Sequence, residues 1–314
     1  MQSITVIGAG VSGLNLVNKV RSKNKDINIT LIDKNLFSFC KRKAVLKPED
    51  FKDKIDLLSW AKERNIEFIN DTVERVSAKR KKIYFKNSKI KEFDNLIVAT
   101  GFCSKKLSLK GEHREGFFYF SKIDPLKLRD LLKISNEATV QVSTLLGIDL
   151  AFSLESLGKE VRIVGSDLSF LGQHKELIIK AINNKNIALY PDFIIEEAVG
   201  ESMVRAVKLS PLKVFSSQLV FIDSGLVSNF DFFEEEIQLK DTFFTAFDCV
   251  YFLGDVTNND ADREQFFINN YQDAIKQAEV FSEFITEGKE PVFKKQTFQN
   301  NDVLVFLDEY LKEV

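Results

Sequence analysis

No two cysteines of this chain lie close enough in sequence to act as a redox pair. The three present, Cys40, Cys103 and Cys249, are widely spaced and odd in number, which excludes a disulfide framework and a C-x-x-C motif. A dithiol-relay mechanism is thereby excluded by composition. Histidine is scarcer still, with only His113 and His174, so no metal-ligand cluster can be assembled and no metal is expected. Neither histidine has a recognisable partner for acid–base work, and no catalytic residue can be assigned. Apolar runs stop well short of the ~20 residues of a membrane span, so no transmembrane segment is expected. The first strand begins within a few residues of Met1, which leaves no room for a signal peptide and points to the cytoplasm. Charge of one sign is lacking too. The 44 Lys and Arg against 46 Asp and Glu give a net charge of −2, so nothing pulls the chain toward nucleic acid or an anionic membrane.

What is abundant is phenylalanine, 29 residues in 314, with doublets at 117–118, 232–233, 243–244 and 266–267. A length of this order suggests about two domains. Core filling accounts for most of the aromatics. Adjacent ones cannot both face inward on a one-sided strand, so some are expected to cover a subunit interface or a cofactor.

The chain opens with "SITVIGAGVSGLNLVNKVRSKNKDINITLIDKN". A short apolar strand runs into Gly8, Ala9, Gly10, Val11, Ser12 and Gly13, which fit G-x-G-x-x-G. A helical pattern follows through Leu14, Leu16, Val17 and Val20, and a second strand ends on Asp33 and Lys34. The first glycine permits a tight turn, the second lets a pyrophosphate approach the backbone, and the third lets helix and strand pack closely. The helix start then faces the phosphates with unpaired N–H groups. Asp33 is placed to accept hydrogen bonds from a ribose.

Two later segments add to this. "FDNLIVATGF" (93–102) is a strand running into Ala99, Thr100 and Gly101, and "VYFLGDVTNN" (250–259) is a strand running into Gly254 and Asp255. In this order the motifs resemble the FAD-dependent pyridine nucleotide–disulfide oxidoreductase superfamily of ferredoxin, rubredoxin and thioredoxin reductase-like flavoproteins. The resemblance covers the chain to about residue 290. It implies an α/β fold of two Rossmann-like three-layer domains, the second inserted in the first. Residues 1–105 and 236–290 would form the FAD-binding domain, 106–235 an NAD(P)H-binding-like domain, and 291–314 a tail with a short helix. The resemblance also implies that the glycine loop holds the FAD pyrophosphate and Asp33 the adenosine ribose. Val73 would touch the adenine through its backbone, Ala99–Gly101 would close over the FAD, and Asp255 would bind the ribityl chain. Loosely, "FSFCKRKAVL" (37–46) resembles a flavin-flanking stretch, which makes Lys41 a candidate flavin neighbour. Cys40 reads as an ordinary thiol, and Cys103 and Cys249 as small buried hydrophobes.

The second domain departs from the pattern. Laid on "VQVSTLLGID" (140–149), G-x-G-x-x-G puts its glycines at Val142, Thr144 and Gly147. The first two are branched, which disfavours the turn and fills the space a pyrophosphate needs. The following strand ends on Gly165 where an NAD ribose calls for an acid. The simplest reading is a domain kept as scaffold with nicotinamide binding weakened or lost. The alternative is NAD(P)H in a shifted pose, using Asp167 or nearby backbone.

The chain ends without the roughly 80–100 residues of a separate C-terminal interface domain. Its last stretch, "NNDVLVFLDEYLKEV" (300–314), has the spacing of a capped amphipathic helix that docks on the body or on another subunit, so a homodimer is one candidate assembly. The expected function is a flavoprotein oxidoreductase passing electrons between FAD and a small molecule, quinone or protein carrier. The alternatives are a non-catalytic FAD-binding interaction protein and a chain that has lost FAD as well.

Overall fold

The computed structural model describes residues 1–38, 54–165, 168–239, 243–257 and 271–293. Lys41, Cys40, Asp167, the 266–267 doublet and the 300–314 helix lie outside them.

Two five-stranded parallel sheets organise the chain. The first runs in the order Val250–Phe252, Leu96–Val98, Ser3–Ile7, Asn28–Asp33, Glu67–Asn70. The second repeats this order with Phe117–Tyr119, Leu219–Ile222, Glu137–Gln141, Glu160–Gly165 and Ile187–Pro191. In both, the chain reverses direction across the sheet beside the central strand, and ligands of such sheets gather at the carboxyl ends of the strands there. Each unit also carries a three-stranded antiparallel sheet, built from Val73–Ser77, Lys82–Phe85 and Ile90–Glu92 in one and from Ile194–Val199, Ala206–Ser210 and Lys213–Ser216 in the other. The chain passes between the units twice, through the antiparallel strands Phe102–Ser104 and Leu226–Ser228.

The helix Val11–Lys23 buries Leu14, Leu16, Val17 and Val20 on one face, as the sequence spacing requires. It packs against the closing helix Tyr271–Glu287, which buries Ala278, Phe281 and Ile285. Lys19–Glu279 at 2.9 Å and Lys23–Glu283 at 3.2 Å tie their outer edges. Exposed pairs of this kind contribute less than about 1 kcal/mol each, so the apolar seam holds the helices together.

The described phenylalanine doublets are packed into or against the hydrophobic cores. Phe117 and Phe118 are both buried, on opposite faces of their strand, and Phe118 stacks on Phe221 at 5.3 Å. Phe243 stacks on Phe281 at 5.3 Å, while Phe244 meets Tyr251 and Phe284 edge-on. Phe232 and Phe233 stack on each other against the face of the first sheet that also holds Val98 and Phe252. The expectation took each strand to have one wet face. A three-layer fold covers both, so alternation in the strand no longer forces one aromatic of each pair outward.

Candidate functional site

The opening loop sits where the central strand of the first sheet feeds its helix. Gly8 has φ +107°, and a Cβ there would lie 2.4 Å from the Ala99 carbonyl oxygen. Only glycine fits, on conformational and steric grounds together. A Cβ on Gly13 would lie 2.0 Å from the Gly8 carbonyl oxygen, so this position closes helix onto turn. Gly10 is different: a Cβ there would meet nothing within 4 Å. It is the helix N-cap, makes no side-chain cap, and is exposed. The first N–H groups of a helix have no partner within it. Val11 and Ser12 hold these positions, beside the exposed Gly10.

Ala9 is held rather than offered. Its N–H donates to Asp33 Oδ2 at 2.8 Å, and its carbonyl accepts from the Ser38 hydroxyl. The other Asp33 oxygen accepts from the Asn35 N–H at 2.8 Å. Asp33 thus fixes the loop, and its remaining lone pairs are what a ribose hydroxyl would meet. Lys34 beside it is exposed. Asn70, in register with Asp33 on the edge strand, donates to the Asp33 carbonyl at 3.1 Å, and Val73 follows at the start of the small sheet.

The remaining predicted residues converge on the same end of the sheet. Ala99 N donates to the Ile7 carbonyl at 2.8 Å, which places Ala99–Gly101 beside the glycine loop. The Thr100 hydroxyl donates to the Asn229 carbonyl, and Asn229 N to the Gly101 carbonyl at 3.1 Å, joining this turn to the returning crossover. Gly254, at φ +81°, lies so near the first helical turn that a Cβ would stand 2.1 Å from Ser12 Oγ. Its N–H donates at 2.8 Å to Gln277 Oε1, on the closing helix. The Gln277 side chain is buried and its Nε2 makes no hydrogen bond. No motif marked Gln277, whose only sequence signal is a polar residue on an apolar helix face. Asp255 is half-buried next to Gly254.

The second loop has the same frame and different contents. Val142 N donates to the Val164 carbonyl at 2.8 Å, as Gly8 N does to Ile32 at 2.8 Å. Asp223 N donates to the Gln141 carbonyl at 2.9 Å, the bond that Ala99 makes to Ile7 in the first unit. Val142, Ser143, Thr144, Gly165 and Asp223 therefore stand where Gly8, Ala9, Gly10, Asp33 and Ala99 stand. Here the helix start is closed. The Thr144 hydroxyl accepts from Leu146 N at 3.2 Å, and its carbonyl from Gly147 N at 3.2 Å. The buried Asp223 carboxylate accepts through Oδ2 from Ser143 N at 3.1 Å, Thr144 N at 2.7 Å and the Thr144 hydroxyl at 2.8 Å. Burial, the largest influence, raises its pKa above the ordinary carboxylate value against those hydrogen bonds.

Two βαβ units on one plan, one with an open glycine loop and one with a closed one, define a protein of the two-dinucleotide reductase fold. The chain belongs to the pyridine nucleotide-disulphide oxidoreductase family, whose model matches residues 2–278. This family is one of FAD-binding oxidoreductases. The chain is 24% identical over 289 residues to the NADH oxidase of Methanocaldococcus jannaschii, covering 80% of this chain and 62% of that protein. It is 25% identical over 170 residues to the rubredoxin-NAD(+) reductase of Pseudomonas putida, covering 52% and 44% respectively. It thus spans less than two thirds of either relative. Among solved structures, the NAD-dependent persulfide reductase from A. fulgidus superposes with a TM-score of 0.77 at 19% identity, covering 93% of this chain and 60% of that one. A ferredoxin reductase from Rhodopseudomonas palustris gives a TM-score of 0.77 at 16% identity, covering 93% and 78%. Among the described residues no helix is long and apolar enough to cross a membrane, and no group of acidic, histidine and cysteine side chains could hold a metal ion.

Proposed function

We propose that the chain is an FAD-dependent oxidoreductase whose FAD lies along the opening unit, residues 1–105 with 236–290. Residues 106–235 form a unit of the nicotinamide-binding type whose own loop is closed. The observation that carries this is the contrast between two helix starts. At Gly10 there is open space and uncapped N–H groups, the setting an anionic pyrophosphate needs. At Thr144 the same positions are capped by the chain itself.

The residues present fit FAD. Gly10 leaves room for the pyrophosphate, and Val11, Ser12 and Gly13 supply backbone N–H groups to it. Gly8 and Ala9 hold the turn. Asp33 receives the ribose, Lys34 flanks it, and Val73 lies toward the adenine. Ala99, Thr100 and Gly101 close over the cofactor, while Gly254 and Asp255 face the ribityl chain. When bound, FAD supplies the redox centre. The chain orients it and shields it from water, and electrons pass to or from a small molecule, a quinone or a protein carrier without a cysteine pair. Rubredoxin and ferredoxin reductases among the relatives support the protein carrier. NADH oxidase among them favours NAD(P)H as donor, whereas the closed second loop speaks against its seating there.

The test is a visible spectrum of the purified protein with added FAD, followed by anaerobic addition of NADH, NADPH and dithionite. Bound yellow flavin is expected, bleached fully by dithionite and rapidly by a quinol or a reduced protein carrier added in the same way, and only slowly by NADH or NADPH. A chain that stays colourless after incubation with FAD would refute the assignment. A second reading, a non-catalytic flavoprotein, is favoured by the same closed loop and predicts bound flavin with slow, indiscriminate reduction.

A further inference from the structure

We propose that Asp223 is an internal occupant of the anion seat at the start of the Leu145–Ser156 helix, and that with Val142 it makes residues 106–235 a dinucleotide-excluding unit. This deepens the proposed function by naming what closes the second loop.

The first unit shows what the seat looks like when it is free. Alanine stands at position 99, glycine at position 10, and the helix start is uncovered. In the second unit a carboxylate replaces that alanine and points at the loop. Its Oδ2 takes the N–H of Ser143, the counterpart of the Ala9 N–H that Asp33 holds in the first unit, and also the N–H and hydroxyl of Thr144, the counterpart of the exposed Gly10. A Cβ on Gly147 would come within 2.8 Å of the same oxygen, so the carboxylate lies against the first helical turn. The other oxygen, Oδ1, is buried with no well-formed hydrogen bond, although the Gly225 backbone N–H also favours the charged carboxylate. Among the described residues no cation pairs with this aspartate. An unpaired buried carboxylate oxygen is costly. A neutral residue would spare that cost, whereas a negative charge at a helix start recovers part of it from the helix dipole. Asp223 meets the electrostatic demand a phosphate would meet. A second anion brought to the same place would be repelled.

The ribose end is closed by the same valine. Gly165 occupies the place of Asp33, and a Cβ there would lie 3.1 Å from Val142 Cγ2, 3.2 Å from the Val142 carbonyl oxygen and 3.4 Å from Leu168 Cδ2. An acidic side chain at 165 therefore crowds Val142. Glycine and side chain have changed places between loop and strand end: Gly8 with Asp33 in one unit, Val142 with Gly165 in the other. Reductant must then reach the flavin without using this seat.

The experiment uses the full chain supplied with FAD, so that the visible spectrum reports the first unit independently. NADH is titrated calorimetrically into wild type, into V142G/T144G, and into V142G/T144G/D223A. Wild type and the double variant are expected to give no saturable heat, and the triple variant to bind at least about tenfold more tightly, the scale of one removed charge clash. A double variant that binds as well as the triple one overturns the role of Asp223. Hydrogen exchange on wild type covers the case in which the triple variant does not fold. FAD is expected to protect residues 8–14 and NADH to leave 142–147 unchanged; protection of 142–147 by NADH overturns the proposal.

Discussion

Gly8 stands so close to Ala99 that a side chain on it would lie 2.4 Å from a backbone carbonyl, whereas two residues on, Gly10 faces open space. The two glycines of one motif therefore do different work. Gly8→Ala must shift backbone and adopt a positive φ, which destabilises the fold by about 1–3 kcal/mol with or without cofactor. Gly10→Ala should leave the melting temperature of the cofactor-free protein within a degree or two of wild type, yet weaken FAD binding by about tenfold or more, because its methyl group would enter the open space proposed for the pyrophosphate. Thermal melts and flavin titrations of both variants check this. Equal loss of stability in the two would mean that Gly10 is structural.

This division explains how much was legible. The first loop reads from sequence because glycines at fixed spacing are required by backbone geometry that any such loop shares. The strands on either side and the register of the second loop follow from apolar patterning in the same way. Asp223 was missed because it belongs to no motif. Its role comes from standing opposite Val142 and Thr144 in space, 79 residues from the latter in sequence. A signal did exist: "ATG" at 99–101 and "DSG" at 223–225 hold equivalent places after equivalent strands, and an acid in the second is unexpected at a buried position. Gln277 was hidden for a similar reason, since its partner is a backbone group.

Asp33 was read as a ribose acceptor, and the structure gives it a prior duty. Its Oδ2 accepts from the buried Ala9 N–H at 2.8 Å. Asp33→Ala leaves that donor unsatisfied, at a cost of about 1–3 kcal/mol before any cofactor is considered. Asp33→Asn retains an oxygen for Ala9 and should keep most of the stability. Chemical denaturation of the cofactor-free variants separates the two. If alanine and asparagine behave alike there, the Ala9 bond contributes little and only the ribose role remains.

Gln277 fixes the turn that carries Gly254 and Asp255. Replacing it with leucine removes the acceptor for the Gly254 N–H and also removes the unpaired Nε2, so the losses partly cancel. A net destabilisation of about 1 kcal/mol is expected. The larger effect should fall on flavin. With Gly254 no longer anchored, the turn moves against Ser12 and the visible band of bound FAD broadens or shifts. Gln277→Glu keeps an oxygen for Gly254 and should restore the band position. A leucine variant with an unchanged flavin spectrum would show that the closing helix does not position the cofactor.

The closed loop carries a pH signature. Burial raises the Asp223 pKa in the folded chain above its ordinary value, so the native state binds this proton more tightly than the unfolded state does. Stability linked to the group is then fully present below the ordinary carboxylate range and is lost as pH rises through the raised folded value. Asp223→Asn keeps an oxygen to accept from Ser143 and Thr144 and carries no charge at any pH. Relative to wild type, the asparagine variant should gain stability steadily as the pH is raised from acid toward neutral, and the gain should level off once Asp223 in wild type is fully ionised. Melting curves of both proteins across that window measure the difference directly. Parallel curves throughout would mean that the carboxylate binds its proton equally well in the folded and unfolded chain, its burial being offset by the hydrogen bonds it accepts from Ser143 and Thr144.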